Sequence, residues 1–250
     1  FEQYKGEIAA LIMEPCEKEE PKDNFLQEVR KLCTEYGVVY ILDEMITGFR
    51  WDIQGACKYY EVEPDLVTYG KGMANGFSVA ALGGRRDIMD MGGLTPGKER
   101  VFLISTTHGA EMSSLGALVE TIEVYKELNV TDHIWKMGKR IVKGLREIAK
   151  EYSLQEYFYI EGADCSPFFV ICGKDKKPSF EYRTVFLQEM LKQGILMPYI
   201  AIAYEHTERE IDITLEAARK AMKVYSDSLN GDVKQFLIGN VIKPVFRKYN

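Results

Sequence analysis

The stretch Val38-Val39-Tyr40-Ile41-Leu42-Asp43-Glu44 decides how this chain is read: a short apolar, β-branched run closed by two acids describes a buried strand with carboxylates at its C-terminal edge. Ligands of open α/β sheets bind beyond that edge. Upstream, Phe25, Leu26, Val29, Leu32 and Cys33 recur at the i, i+3, i+4 spacing of one helical face, with Asp23 as the expected N-cap and Gly37 as the stop. Before that helix, Glu7 to Met13 is a second strand candidate. Strand, helix and strand in this order predict a βαβ unit in a parallel sheet.

Working outward, further strands are predicted at Leu66 to Tyr69, Val79 to Leu82 and Val101 to Ile104. From Thr131 the texture changes: a long amphipathic helix to about Tyr152 precedes two aromatic-rich strands, Tyr157 to Ile160 and Phe168 to Cys172. Helices near Glu181 to Gln193 and Thr207 to Ser228 follow. This predicts a second, smaller α/β domain over 128–250 after a first over 1–127, tied together by a helix around Gly109 to Glu127. The chain starts at Phe1 without an initiator Met and runs almost at once into apolar sequence, which reads as a start within a fold.

Composition narrows the function. With 46% hydrophobic and 28% charged residues the chain is globular in make-up, and a net charge of -6 with interspersed signs lacks the basic stripe of a nucleic-acid binder. No apolar run approaches the roughly 20 residues of a membrane-spanning helix. The five cysteines are scattered without a C-x-x-C pair, so neither a disulfide framework nor a zinc site is expected, and a reducing, cytoplasmic compartment fits.

Two features can carry chemistry. The acids Asp43 and Glu44 have three readings from the residues alone: solvated loop acids, a metal-binding acid of a nucleotide hydrolase, or a cofactor-binding acid. The hydrolase reading requires a G-x-x-x-x-G-K-[ST] loop; Gly93-Leu-Thr-Pro-Gly97-Lys98-Glu99 comes nearest but has the wrong spacing and no hydroxyl residue. The second feature is Pro64-Asp-Leu-Val-Thr-Tyr-Gly70-Lys71-Gly72, where a short strand delivers a lysine onto a turn between glycines. Small residues Gly72, Ala74, Asn75 and Gly76 leave room for a flat ligand.

Four collinear segments, Ile8-Ala-Ala-Leu-Ile-Met-Glu14-Pro15, Leu42-Asp-Glu-Met-Ile-Thr-Gly-Phe-Arg50, Pro64-Asp-Leu to Gly70-Lys71, and Gly83-Gly84-Arg85-Arg86-Asp87-Ile88-Met89, resemble class III aminotransferases, in particular the glutamate-1-semialdehyde aminomutase branch. The resemblance implies an α/β, fold-type-I transferase dependent on pyridoxal 5'-phosphate, here the C-terminal part of the large domain, with a mainly parallel sheet, plus the small domain. It assigns Lys71 the Schiff base to the cofactor and Asp43 the pyridine nitrogen, places Met45 against the ring, and gives Glu44, Thr47 and Arg50 supporting roles in the loop. Met45 is expected on the same face of an extended segment as Asp43. By register Thr106, with Thr107 second, would reach the cofactor phosphate of the neighbouring subunit of a homodimer, while His108 is read as a hydrogen-bonded structural residue.

The family's phosphate cradle and ring-stacking aromatic belong to an upstream part not contained here, so the sheet is expected to have an open edge and an uncovered face. The loop Cys16 to Lys22 is shorter than in relatives, with Glu19 as a candidate replacement for a gating acid, and Leu196 to His206 replaces an acid-containing segment. The implied activity is ping-pong transfer between an amino donor and a carbonyl acceptor. Alternatives are an aminomutase or an inactive relative serving as an interaction module.

Overall fold

The computed structural model describes residues 1–92, 109 and 111–243. The strand expected at Val101 to Ile104, and Thr106, Thr107 and His108, lie outside the described residues. The chain divides into two compact units, Phe1–Asp132 and His133–Asn250.

The first unit is built on a four-stranded sheet ordered β1 (Ala10–Met13), β2 (Val39–Asp43), β3 (Leu66–Tyr69), β4 (Ala81–Gly84). Strands β1, β2 and β3 run parallel, with Met13 opposite Leu42 and Asp43 opposite Thr68. Helix α1 (Phe25–Tyr36) forms the β1–β2 crossover and ends, as expected, at Gly37 with φ 67°. Its start differs from expectation. Asp23 and Asn24 both adopt left-handed backbone, and Asn24 holds the N-cap position without a side-chain cap.

Pleating then sorts β2. Tyr40 and Leu42 are fully buried beneath α1 with Leu26, Cys33, Val38 and Val62, whereas Val39, Ile41 and Asp43 face the other side. On that side Ile12 of β1, opposite Ile41, is 61% exposed. Asp43 therefore opens onto the less covered face at the carboxyl edge.

Strand β4 is antiparallel to β3. The residues between them, 70–80, are too few for the crossover of roughly a dozen residues or more that a parallel pair requires. A 3-10 turn, Lys71–Ala74, and then residues 75–80 instead return the chain alongside β3. The short helices α2 (Ala56–Tyr59) and α3 (Arg86–Met89) and the long α4 (Met112–Leu128) complete the unit.

At the opposite end of the strands from Asp43, Asp65 joins three elements. It accepts the Tyr40 amide at 2.8 Å, Arg30 of α1 at 2.7 Å and Arg85, just after β4, at 2.8 Å. Burial pushes its carboxyl up, but the bonds from Arg85, the Tyr40 amide and Arg30 together outweigh burial and hold it below its ordinary value. Because its folded value is lowered, the stability it confers is present above the unfolded value near ~3.9 and is lost as pH falls through the folded value. Asp65→Asn is expected to cost about 2–4 kcal/mol at neutral pH, since two arginines lose their charged partner. Urea titrations at a series of pH values should show this gap closing below about pH 4; a gap independent of pH would refute the charge argument.

From His133 onward the second unit contains most of α5 (Val130–Glu151), whose Ile134, Met137, Ile141, Leu145 and Ile148 form one buried stripe. An antiparallel pair, β5 (Phe158–Glu161) and β6 (Phe168–Ile171), contributes Phe158 and Phe169, which cluster with Phe186 of α6 (Phe180–Lys192). Helix α7 (Glu208–Asn230) begins with a capping box between Thr207 and Glu210 and packs on α6. Among the described residues no helix is long and apolar enough to cross a membrane.

Candidate active site

The site is assembled at the carboxyl edge of β1, β2 and β3. The register brings three polar residues side by side: Glu14 follows Met13, which faces Leu42, so it stands beside Asp43, and Asp43 faces Thr68. The three occupy one row across the sheet. Burial raises the Glu14 carboxyl, the negative charges of Asp43 and Glu17 add to the rise, and the positive charge of Lys71 opposes it. Lys71 and Asp43 thus act on one electrostatic neighbourhood.

The Asp43 carboxylate is held through one oxygen. Its Oδ1 accepts the Met45 amide at 3.0 Å and the Thr68 hydroxyl at 3.2 Å. The first of these bonds closes an Asx turn, so the chain does not stay extended past Asp43. The expectation that Met45 shares a strand face with Asp43 is corrected accordingly. Met45 sits in the turn and packs over Gly70, where a Cβ would collide with its Sδ and Cε atoms.

The cause of the turn is Glu44. This carboxylate has no exposed surface, and it accepts the Thr47 hydroxyl, the Ala56 amide at 2.8 Å and the Cys57 amide at 2.6 Å. It thereby ties residues 44–57 into a compact loop and serves the first amides of α2. Gly55, at φ 99°, lets the backbone pass: a Cβ there would fall 2.7 Å from Glu44 Oε1. Burial and the neighbouring Glu44 charge push the Cys57 thiol up to about 11, so it is an inert thiol. Arg50 lies in this loop; burial raises the Tyr125 phenol and the Arg50 charge opposes the rise, which puts that charge near α4.

Lys71 comes straight out of β3. Gly70 is extended at φ -176°, and Lys71 turns the chain with φ 45°, a left-handed conformation that a side-chain-bearing residue adopts at a cost of roughly 1–2 kcal/mol. Its side chain is exposed, and beside it Gly72 has open space where a Cβ would be. Glu19, by contrast, is paired with Lys22 at 3.6 Å on the solvated surface. Among the described residues no group of three or more His, Cys, Asp and Glu could hold a metal ion.

The aminotransferase class-III family model matches residues 1–199, a span that contains Glu14, Asp43, Thr68 and Lys71. The chain belongs to the class III aminotransferase family. It is similar to glutamate-1-semialdehyde 2,1-aminomutase of Clostridium tetani, 37% identical over 238 residues that cover 88% of this chain and 55% of that protein. The corresponding protein of Acetivibrio thermocellus is 34% identical, with coverages of 86% and 52%. The chain spans about half the length of these relatives.

Solved structures place this aminotransferase chain in the fold-type-I class. The FumI protein of Sphingopyxis sp. MTA144, in its PLP internal aldimine form, superposes with a TM-score of 0.81 at 22% identity, covering 95% of this chain and 57% of that one. An omega-transaminase from Sphaerobacter thermophilus gives 0.76 at 22% identity, with coverages of 90% and 54%. Sequence reasoning missed two members of the row, Thr68 as a partner of Asp43 and Glu14 as its neighbour. A hydroxyl residue within the otherwise apolar run Leu66-Val67-Thr68-Tyr69 was the available signal for the first.

Proposed function

We propose that this chain is the lysine-bearing part of a pyridoxal-5'-phosphate-dependent aminotransferase that moves an amino group between an amino donor and a carbonyl acceptor by a ping-pong mechanism. The observation that carries the proposal is the strained, exposed Lys71 at the same sheet edge as Asp43, within a family-matched span. The donor set suits the cofactor: one primary amine, one carboxylate with its second oxygen free of the contacts that engage Oδ1, and glycine-lined space beside the amine.

When bound, the cofactor supplies an aldehyde carbon for the lysine amine and an electron-withdrawing ring for the substrate carbon. Lys71 would hold it through Nζ and, once displaced by a substrate amine, carry the proton from the substrate α-carbon. Asp43 would keep the ring nitrogen protonated, because an ionised carboxylate favours a neighbouring cation. Met45, packed over Gly70, would line the ring's edge, and Glu44 with Thr47 would hold the loop that positions it. By the family register, Thr106 or Thr107 would serve the phosphate of a partner subunit in a homodimer. The five free cysteines support a reducing, cytoplasmic setting.

A second reading, an aminomutase returning the amino group to a neighbouring carbon of the same substrate, is favoured by the identity of the 34–37% relatives. Product analysis with a separate carbonyl acceptor distinguishes the two. For the reaction class itself the test is Asp43→Asn, which keeps shape and removes charge. It is expected to lower turnover at least about a hundredfold while cofactor affinity falls no more than about tenfold, reflecting a group used more in the transition state than in binding. Wild-type rates of α-proton removal in single turnover would show the proposed role of Asp43 to be wrong.

A further inference from the structure

We propose that Thr68 is a positioning residue for Asp43: its hydroxyl, donating to Oδ1, fixes the carboxylate so that Oδ2 is the oxygen presented to a cofactor ring nitrogen. The inference rests on the proposed role of Asp43 and extends it to a residue of the neighbouring strand.

Three observations on adjacent strands carry it. First, Asp43 and Thr68 are register partners in the parallel β2–β3 pair, so both side chains leave the same face of the sheet. Second, the two donors to Asp43, Met45 N–H at 3.0 Å and Thr68 Oγ1–H at 3.2 Å, converge on the same oxygen. One donor comes from the turn following the strand and the other from across the ladder. A carboxylate anchored by a single donor can still rotate about χ2, whereas two donors in different directions on one oxygen select one orientation. Third, the side of Asp43 away from β3 faces Glu14, an acid that supplies no donor when ionised. Among the described residues, Thr68 is therefore the side chain that restrains Asp43 from within the sheet.

Thr68 would act on chemistry through Asp43 and not by touching the substrate. A loosened carboxylate holds the ring proton less well, the ring draws electrons less strongly, and the lysine-linked nitrogen becomes more basic. Among the described residues, Glu14 on β1 senses the charges of both Asp43 and Lys71, and Glu14 and Lys71 remain unchanged in the test.

The experiment uses the cofactor-loaded full-length protein with Thr68→Val, Thr68→Ser, Asp43→Asn and the Asp43→Asn/Thr68→Val double variant. Valine preserves the branched shape and strand preference, and serine restores the hydroxyl. The first readout is the pH midpoint of the absorbance change of the lysine-bound cofactor. It should rise in Thr68→Val, rise further in Asp43→Asn, and move no further in the double variant, as expected for two residues acting through one interaction. The second readout is steady-state kinetics: kcat should fall about three- to tenfold in Thr68→Val with KM within about twofold, the worth of one hydrogen bond used in the transition state. Thr68→Ser should return both to near wild type.

An unchanged midpoint and kcat in Thr68→Val, with Asp43→Asn shifted, overturns the Thr68 inference and leaves the role of Asp43 standing. A serine variant that behaves like valine overturns it as well, because the hydroxyl is then not the active feature. If Asp43→Asn itself shifts nothing, the underlying assignment of Asp43 fails and the Thr68 inference with it.

Discussion

Lys71→Ala is expected to abolish covalent cofactor attachment and all amino-group transfer in the full-length protein, while the fold survives. The Lys71 amine stands at the edge of β3 and can form the linkage, and its side chain is exposed, so its removal takes no packing from the core. A companion substitution separates chemistry from stability. Lys71 has φ 45°, which glycine tolerates without the Cβ clash that both lysine and alanine suffer. Lys71→Gly should therefore be more stable than Lys71→Ala by about 0.5–1 kcal/mol, the left-handed penalty relieved less the extra chain entropy of glycine. Both variants should be equally dead. Equal stabilities by urea denaturation would mean that the turn relaxes, and residual turnover in either would remove Lys71 from the mechanism.

The second large effect is on the fold of the site loop. Glu44→Ala leaves the Thr47 hydroxyl and the amides of Ala56 and Cys57 without their acceptor, in surroundings where Glu44 itself has no solvent exposure. With each buried donor left unpaired costing about 1–3 kcal/mol, a total of about 3–5 kcal/mol is expected. In a chain of this size that is a fall in Tm on the order of 10 °C. Glu44→Gln should recover part of it, because one amide oxygen can serve Ala56 and Thr47 while its NH2 group then faces the Cys57 N–H. Calorimetry of the three proteins checks the order wild type, Gln, Ala. A loss below about 1 kcal/mol for Ala would mean that water replaces the carboxylate.

These two residues also show what the sequence disclosed. The placement of Lys71 and Asp43 at one sheet edge was legible because each closes a short apolar run. Helix α1 and strands β1 to β3 were legible from periodicity and from Gly37, which is local information. Strand β4 was located within two residues in a sheet expected to be mainly parallel; its antiparallel direction is set by the length of the connection and the turn at Lys71, which hydrophobic pattern does not report.

Glu44 was assigned a supporting role, but its complete burial could not be read. Its partners at Ala56 and Cys57 are backbone amides, which carry no sequence signature. The same burial explains the error over Met45, since the loop that Glu44 organises leaves the strand direction one residue earlier than alternation assumes. Asp65 was quoted only as part of a motif. Its function as a junction of α1, β2 and β4 depends on Arg30 and Arg85, which lie 35 and 20 residues away in sequence.

The central claim is that Lys71 is the cofactor lysine, and trapping tests it most directly. The full-length protein, loaded with pyridoxal 5'-phosphate, is reduced with borohydride, digested and mapped by mass spectrometry. Loss of the visible absorbance near ~400 nm that a lysine-linked cofactor gives is expected, with a reduced adduct on the peptide containing Gly70-Lys71-Gly72. An adduct on a different lysine, or no adduct in a protein that turns over substrate, would contradict it.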